Sequence, residues 1–194
     1  MHTKSKIFAA ARVRVLEKGL KSKTDLQRLC ESDYEGALRL LSDWGYGGEH
    51  SQMADFEKRI DGELKKAKAL MQGLSSEEAL TNAILLRYDI TNLKTLLKIS
   101  LKEGDAFNDH VNLDMLNSLG IIEPKLMQVM VSQKLYPELP KHIAEVAASL
   151  HEREQKPSPQ EISVAIDYAY YEYVLKMDNP LVVEYFKAEC DFLN

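Results

Sequence analysis

Apolar positions recur along the chain at spacings of three and four, the period of an α-helix with one buried face. No sustained alternation of apolar and polar residues occurs, and no Asn-Gly or Asp-Gly turn is flanked by strand-like runs, so the pattern predicts helices and no strands. A first helix is expected over residues 4–18, stopped by Gly19. A second opens at Thr24 with Gln27 three residues on, and a third at Ser32 with Glu35. Both read as capping boxes, in which a hydroxyl and a side chain one turn later satisfy each other's main-chain N–H groups. The third helix runs into Trp44-Gly45-Tyr46-Gly47-Gly48, a stop followed by a loop.

The next helix carries Met53, Phe56, Ile60, Leu64, Ala67 and Leu70 and stops at Gly73. Ser75 with Glu78 predicts another capping box, opening the longest helix. There Ala79, Ala83, Leu86, Ile90, Leu93 and Leu97 alternate four-three-four-three-four, a heptad-like seam that has to pack against another helix. Beyond Gly104 the elements shorten: a piece near residues 113–119 closes at Gly120, and Pro124 suits the first position of a helix. Residues 136–140 (Tyr-Pro-Glu-Leu-Pro) read as a turn, and 156–159 (Lys-Pro-Ser-Pro) as the main internal break. Ser158 with Glu161 then caps a tyrosine-rich helix. The last helix starts at Asp178-Asn179-Pro180, with Val182, Phe186, Cys190 and Leu193 on one face and no stop signal. It reads as a helix cut short, and a truncated chain is expected to leave that face partly uncovered, inviting self-association.

At 194 residues the chain can bury a sizeable core. The longest stretch without a charged side chain is eight residues, as over 79–86, while a bilayer-spanning helix needs about 20 apolar ones, so no membrane span is expected. No secretory signal is visible at the N-terminus. Cys30 and Cys190 read as core thiols rather than as a disulfide. The net charge of -5 is uneven. Residues 1–28 carry eight basic side chains against Glu17 and Asp25, a net of +6, and residues 138–194 carry five basic against eleven acidic, a net of -6. The plain reading is two solvated faces; the sharper one is a polar protein whose ends meet differently charged partners. No basic patch is interleaved with aromatics, so no nucleic-acid partner is expected.

Self-comparison gives ordered matches. Asp89, Ile90 and Asn92 align with Asp191, Phe192 and Asn194 at an offset of 102. Leu26, Leu29 and Tyr34 align with Leu126, Val129 and Tyr136 at 100 to 102, and Phe56, Ile60 and Asp61 with Ile162, Ile166 and Asp167 at 106. The chain therefore reads as one helical repeat unit over 1–78, a second over 79–178, and the start of a third over 179–194. Stacked helical units commonly serve as scaffolds or adaptors.

Chemistry is sparse. The five histidines are scattered, none three or four residues from another, so neither a metal site nor a cofactor is expected. There is no Gly-rich phosphate loop ending in Lys-Ser or Lys-Thr, no Gly-x-Ser-x-Gly elbow, and no cysteine in a recognisable catalytic setting. Asp89 and Asn92, one turn apart, have the chemistry of acid/base groups but read more simply as hydrogen-bonding groups between helices. Tyr168, Tyr170, Tyr171 and Tyr173 suit an aromatic cage, or the edge of a core with their hydroxyls reaching polar partners.

Four segments carry a family resemblance. Residues 11–17 (Ala-Arg-Val-Arg-Val-Leu-Glu) followed by 23–26 (Lys-Thr-Asp-Leu) resemble the opening of the C subunit of V/A-type rotary ATPases, called subunit d in the eukaryotic V-type enzymes. Residues 87–98 resemble that family's Asp-x-x-Asn-Leu-Lys-Thr-Leu-Leu-Arg motif, with Lys98 in place of the final arginine. Residues 166–171 resemble its Leu-Asp-x-x-Tyr-Tyr segment, and Asp191 to Asn194 the start of a second Asp-x-x-Asn motif. The resemblance implies an all-α, irregular helical bundle built from internal repeats, a pseudo-threefold funnel in the family that ends here after about two of three repeats. It implies a non-catalytic central-stalk subunit without cofactors, peripheral to the membrane on its cytoplasmic side. The partners would be the central shaft subunits and the proteolipid ring, coupled during proton or sodium translocation. Asp89, Asn92, Lys94, Asp167, Tyr171, Asp191 and Asn194 would be its structural motif residues, and Arg12 and Arg14 a partner-facing surface. A free-standing helical-repeat adaptor of the same descent is the alternative.

Overall fold

The computed structural model describes residues 6–46 and 56–193, with the side chains of 6–46 and 60–192. The described residues form helices and turns and no strand: α1 (Lys6–Glu17), α2 (Lys23–Glu31), α3 (Tyr34–Asp43), α4 (Phe56–Leu74), α5 (Glu78–Glu103), α6 (Phe107–His110), α7 (Pro124–Gln133), α8 (Lys141–His151), α9 (Pro159–Leu175) and α10 (Pro180–Leu193). Short 3-10 turns occupy Gly104–Ala106 and Leu113–Met115. The chain divides into two compact units, Met1–Glu78 and Ala79–Asn194.

In the first unit the helices begin where local chemistry is strongest, not where the simplest pattern puts them. The α2 cap is Ser22, not Thr24: its Oγ accepts the Asp25 N–H at 3.2 Å, and the Asp25 carboxylate accepts the Ser22 N–H at 3.0 Å. A full negative charge one turn into a helix complements its dipole, which the neutral Gln27 cannot do. The α3 cap is Asp33, accepting the Gly36 N–H at 2.8 Å. Ser32, the expected cap, instead closes α2, its hydroxyl donating to the Leu29 carbonyl at 2.8 Å. Gly45 takes the left-handed conformation just after α3, with φ 86°. Gly47, Gly48 and Met53 lie outside the described residues. Ser75 does not cap α5. Its Oγ accepts the Glu77 N–H at 3.2 Å, a tight turn ahead of a helix that starts at Glu78. Leu38 is the one buried side chain described in this unit.

The second unit holds the core. α5, about 39 Å long at 1.5 Å per residue, buries its seam through Ala83, Leu86, Ile90, Leu93 and Leu97. Leu85, Asp89, Asn92 and Leu96 are buried beside it, so the buried arc is wider than the seam alone. Against it lie Met127 and Val131 of α7, Ile143 and Ala147 of α8, Ile166 and Val174 of α9, and Val182 and Phe186 of α10, all fully buried in one cluster. α8 packs on α9, and α9 on α10. Burying each such aliphatic or aromatic side chain stabilises the fold by roughly 1.5–3 kcal/mol. Pro124 opens α7 and the Ser158–Glu161 capping box opens α9, as the pattern predicts. Asn179 Oδ1 accepts the N–H groups of Leu181 and Val182 at the start of α10.

Two expectations are corrected. Val182 and Phe186 are not uncovered but fully buried; the rings of Tyr170 and Tyr185 meet Phe186 edge-on, with centroids 5.6 and 5.1 Å away. Among the described side chains of α10, the apolar ones left in solvent are Leu181, Tyr185 and Phe192, while Cys190 is half-buried. Nor are the cysteines core thiols: neither forms a disulfide, and Cys30 is exposed. Of the α9 tyrosines, Tyr170 is buried, Tyr171 and Tyr173 are half-buried, and Tyr168 faces solvent.

Candidate functional site

Asp89 and Asn92 sit three residues apart on α5, so both side chains leave the same face of the helix. Neither reaches solvent. Asp89 Oδ2 accepts the Ile121 N–H at 2.7 Å, and Oδ1 accepts the Ile122 N–H at 3.0 Å. Asn92 makes a reciprocal pair with Asn117: its Nδ2 donates to the Asn117 carbonyl at 2.8 Å, and its Oδ1 accepts the Asn117 N–H at 2.7 Å. Asn117 Oδ1 then accepts the Leu119 N–H at 2.8 Å, tightening the loop itself. One turn of α5 thus clamps both ends of the loop 117–122. The N–H groups of an irregular segment beside a core need acceptors, and a carboxylate supplies two in one side chain.

Three further contacts fasten α5 to the helices around it. Lys94 Nζ meets Asp167 Oδ1 of α9 at 2.6 Å, both half-exposed. Tyr170 of α9 donates its hydroxyl to the Ala83 carbonyl at 3.2 Å. Arg87 pairs with Glu189 of α10 and donates to the Tyr185 hydroxyl at 3.4 Å. Burial works against the Arg87 charge, but Tyr185 and Glu189 outweigh it and the guanidinium pKa rises. Burial also raises the pKa of the Tyr170 and Tyr171 hydroxyls.

The predicted motif residues therefore separate into two groups. Asp89 and Asn92 act together on one loop, and Lys94 meets Asp167. Tyr171 stands beside that network with its ring 5.3 Å from Tyr170. Asp191 is exposed on α10, and Asn194 lies outside the described residues. Arg12 and Arg14 are exposed on α1. The aligned positions differ in environment: Asp89 is buried where Asp191 is exposed, and Ile166 is buried where Ile60 is not.

Asn117 and Glu189 went unremarked in the sequence; Gly120 was read only as the end of a short piece, and Arg87 only as the first residue of the 87–98 motif. For the pairing of Arg87 with Glu189 a signal was present, since the two are separated by 102 residues, the offset that aligns the two Asp-x-x-Asn motifs. A cavity of about 260 Å³ lies beside the clamp, lined by Asn82, Leu86, Ile121, Ile122, Glu138 and Tyr173 among others. Glu138 is the one carboxylate in its lining. Among the described residues no group of three His, Cys, Asp or Glu side chains converges as a metal site would require. No described helix is long and apolar enough to cross a membrane. This arrangement is suited to holding helices and a loop in place.

The chain matches one family model, described as the ATP synthase (C/AC39) subunit, over residues 9–194. No curated protein and no solved structure matches it.

Proposed function

The chain belongs to the ATP synthase (C/AC39) subunit family, and from that premise we propose that it is a non-catalytic central-stalk subunit of a V/A-type rotary ATPase. In this reading it joins the central shaft to the proteolipid ring while protons or sodium ions cross the membrane, and it is held on the cytoplasmic side through the complex. Family membership over nearly the whole chain is the observation that carries the reading.

The packing is compatible with such a role. A part that passes torque has to resist shear between its helices. α5 is tied to α9 through Lys94–Asp167 and Tyr170–Ala83, to α10 through Arg87–Glu189, and to the 117–122 loop through the Asp89–Asn92 clamp. Close-packed interiors transmit strain and do not absorb it. Arg12 and Arg14, exposed on α1, are proposed to face a partner.

The test is a pull-down of the chain against purified shaft subunits and the purified proteolipid ring. Binding to both supports the coupling role. Binding to neither, by a chain that is monomeric and helical, would replace it with the free-standing adaptor.

A further inference from the structure

α1 has no buried residue, although it carries Ile7, Phe8, Val13, Val15 and Leu16. A 12-residue helix in water is marginal by itself, so these side chains call for a cover. At 100° per residue, Phe8, Ala11 and Val15 fall within about 60° of one another and form a seam with the three-four spacing of a coiled coil. Arg12 borders the seam on one side and Arg14 on the other, the positions flanking such a seam. Among the described residues neither arginine forms an ion pair. Residues 1–28 as a whole carry a net of +6.

We infer that the Phe8–Ala11–Val15 seam of α1 docks a helix of another polypeptide, one whose own apolar seam is bordered by Glu or Asp. Charge complementarity selects this partner, because two arginines flanking an apolar seam pair with carboxylates at the facing positions and repel a basic helix. A membrane surface fits less well. A helix lying on lipid segregates its charges to one face, whereas α1 has the apolar Val13 on the side opposite the seam and arginine at the seam's borders. The inference deepens, and rests on, the partner-facing reading of Arg12 and Arg14.

A synthetic four-heptad helix with leucine at the core positions and glutamate at the flanking ones serves as probe, and the same helix with lysine at the flanks as control. Binding to the full chain is followed by fluorescence anisotropy at low salt. The glutamate helix should bind at least about tenfold tighter than the lysine helix, and added salt should erode that preference. Arg12→Glu with Arg14→Glu should reverse the preference. The milder Arg12→Gln with Arg14→Gln should abolish it, and Phe8→Ser should weaken the glutamate helix without changing charge; circular dichroism should show helicity kept in each. Equal binding of both helices, binding of neither, or binding only of vesicles containing an anionic phospholipid would overturn the inference. Because the probe contains no ATPase component, such a failure would leave the pull-down with shaft and ring unaffected.

Discussion

Gly120 lies against the Asp89 carboxylate so closely that a Cβ at position 120 would stand 2.0 Å from Oδ1 and 2.7 Å from Cγ. No side chain fits there unless the clamp opens. Gly120→Ala should therefore push the buried carboxylate off the Ile121 and Ile122 N–H groups and cost about 3 kcal/mol, an overpacking term plus unmade hydrogen bonds. Urea denaturation measures it. A loss below about 1 kcal/mol would show that the loop shifts freely and that the clamp is not rigid.

The two halves of the clamp hold different parts of the loop, so their variants should differ in location as well as size. Asp89→Asn keeps the volume but turns an amide toward main-chain donors and should cost about 2–3 kcal/mol. It should speed hydrogen exchange at Ile121 and Ile122. Asn92→Ala should cost about 1–3 kcal/mol and speed exchange at Asn117 instead. Uniform acceleration across the loop in both variants would mean that the loop opens as one unit.

The ties between helices can be separated by double-mutant cycles. Arg87 and Glu189 are shielded more than a typical surface pair, so Arg87→Met and Glu189→Gln should show a coupling of about 1 kcal/mol. Tyr170→Phe removes one buried hydrogen bond to the Ala83 carbonyl and should cost about 1 kcal/mol. Additive effects at Arg87 and Glu189 would remove the α5–α10 tie from the rigid-coupling account.

A pH dependence follows from the Tyr136–His151 contact, in which the hydroxyl and Nε2 are 2.9 Å apart. Burial, with the nearby Lys134 charge, holds the His151 pKa below its ordinary value, and burial raises that of Tyr136. The fold thus favours neutral imidazole. The stability this contributes is present above the unfolded value of about 6.5 and is lost as pH falls through the lower folded value. The urea midpoint should drop between pH 7.5 and 5.5, and His151→Gln, which cannot protonate, should reduce that drop. Equal drops in both proteins would place the acid sensitivity elsewhere.

What the sequence made legible was local and periodic. The seam of α5, the prolines opening α7 and α10 and the Ser158–Glu161 cap depend on residues within a few turns of each other. At Ser22 and Asp33 two acceptable caps competed, and the carboxylates decided. The candidate site was half legible: Asp89 and Asn92 stood out by spacing and resemblance. Their targets lie 25 to 33 residues away as main-chain groups, which carry no side-chain signature. The burial of Phe186 could not be read from α10 alone, because the ring of Tyr170 of α9 supplies part of its cover.

The two units should differ sharply in stability, and the reason is their division of apolar surface. Among the described residues, the unit Met1–Glu78 buries only Leu38, while Ile7, Phe8, Val15, Leu20, Leu26, Ile60 and Leu64 stay in solvent. Its first three helices have 12, 9 and 10 residues, lengths at which a helix depends on packing to persist. Ala79–Asn194 holds the continuous core from α5 to α10. Hydrogen exchange should therefore be fast over residues 6–46 and slowest in α5 and α9, and limited proteolysis should remove the first unit before it cuts the second. Residues 79–194 expressed alone should unfold in one cooperative transition, whereas residues 1–78 alone should show none. If the Glu-flanked helix docks on α1, exchange over residues 6–17 should slow in its presence while α5 is unaffected. Protection of α1 equal to that of α5 in the free chain would show that α1 is already covered, and would remove the docking surface along with the predicted difference between the units.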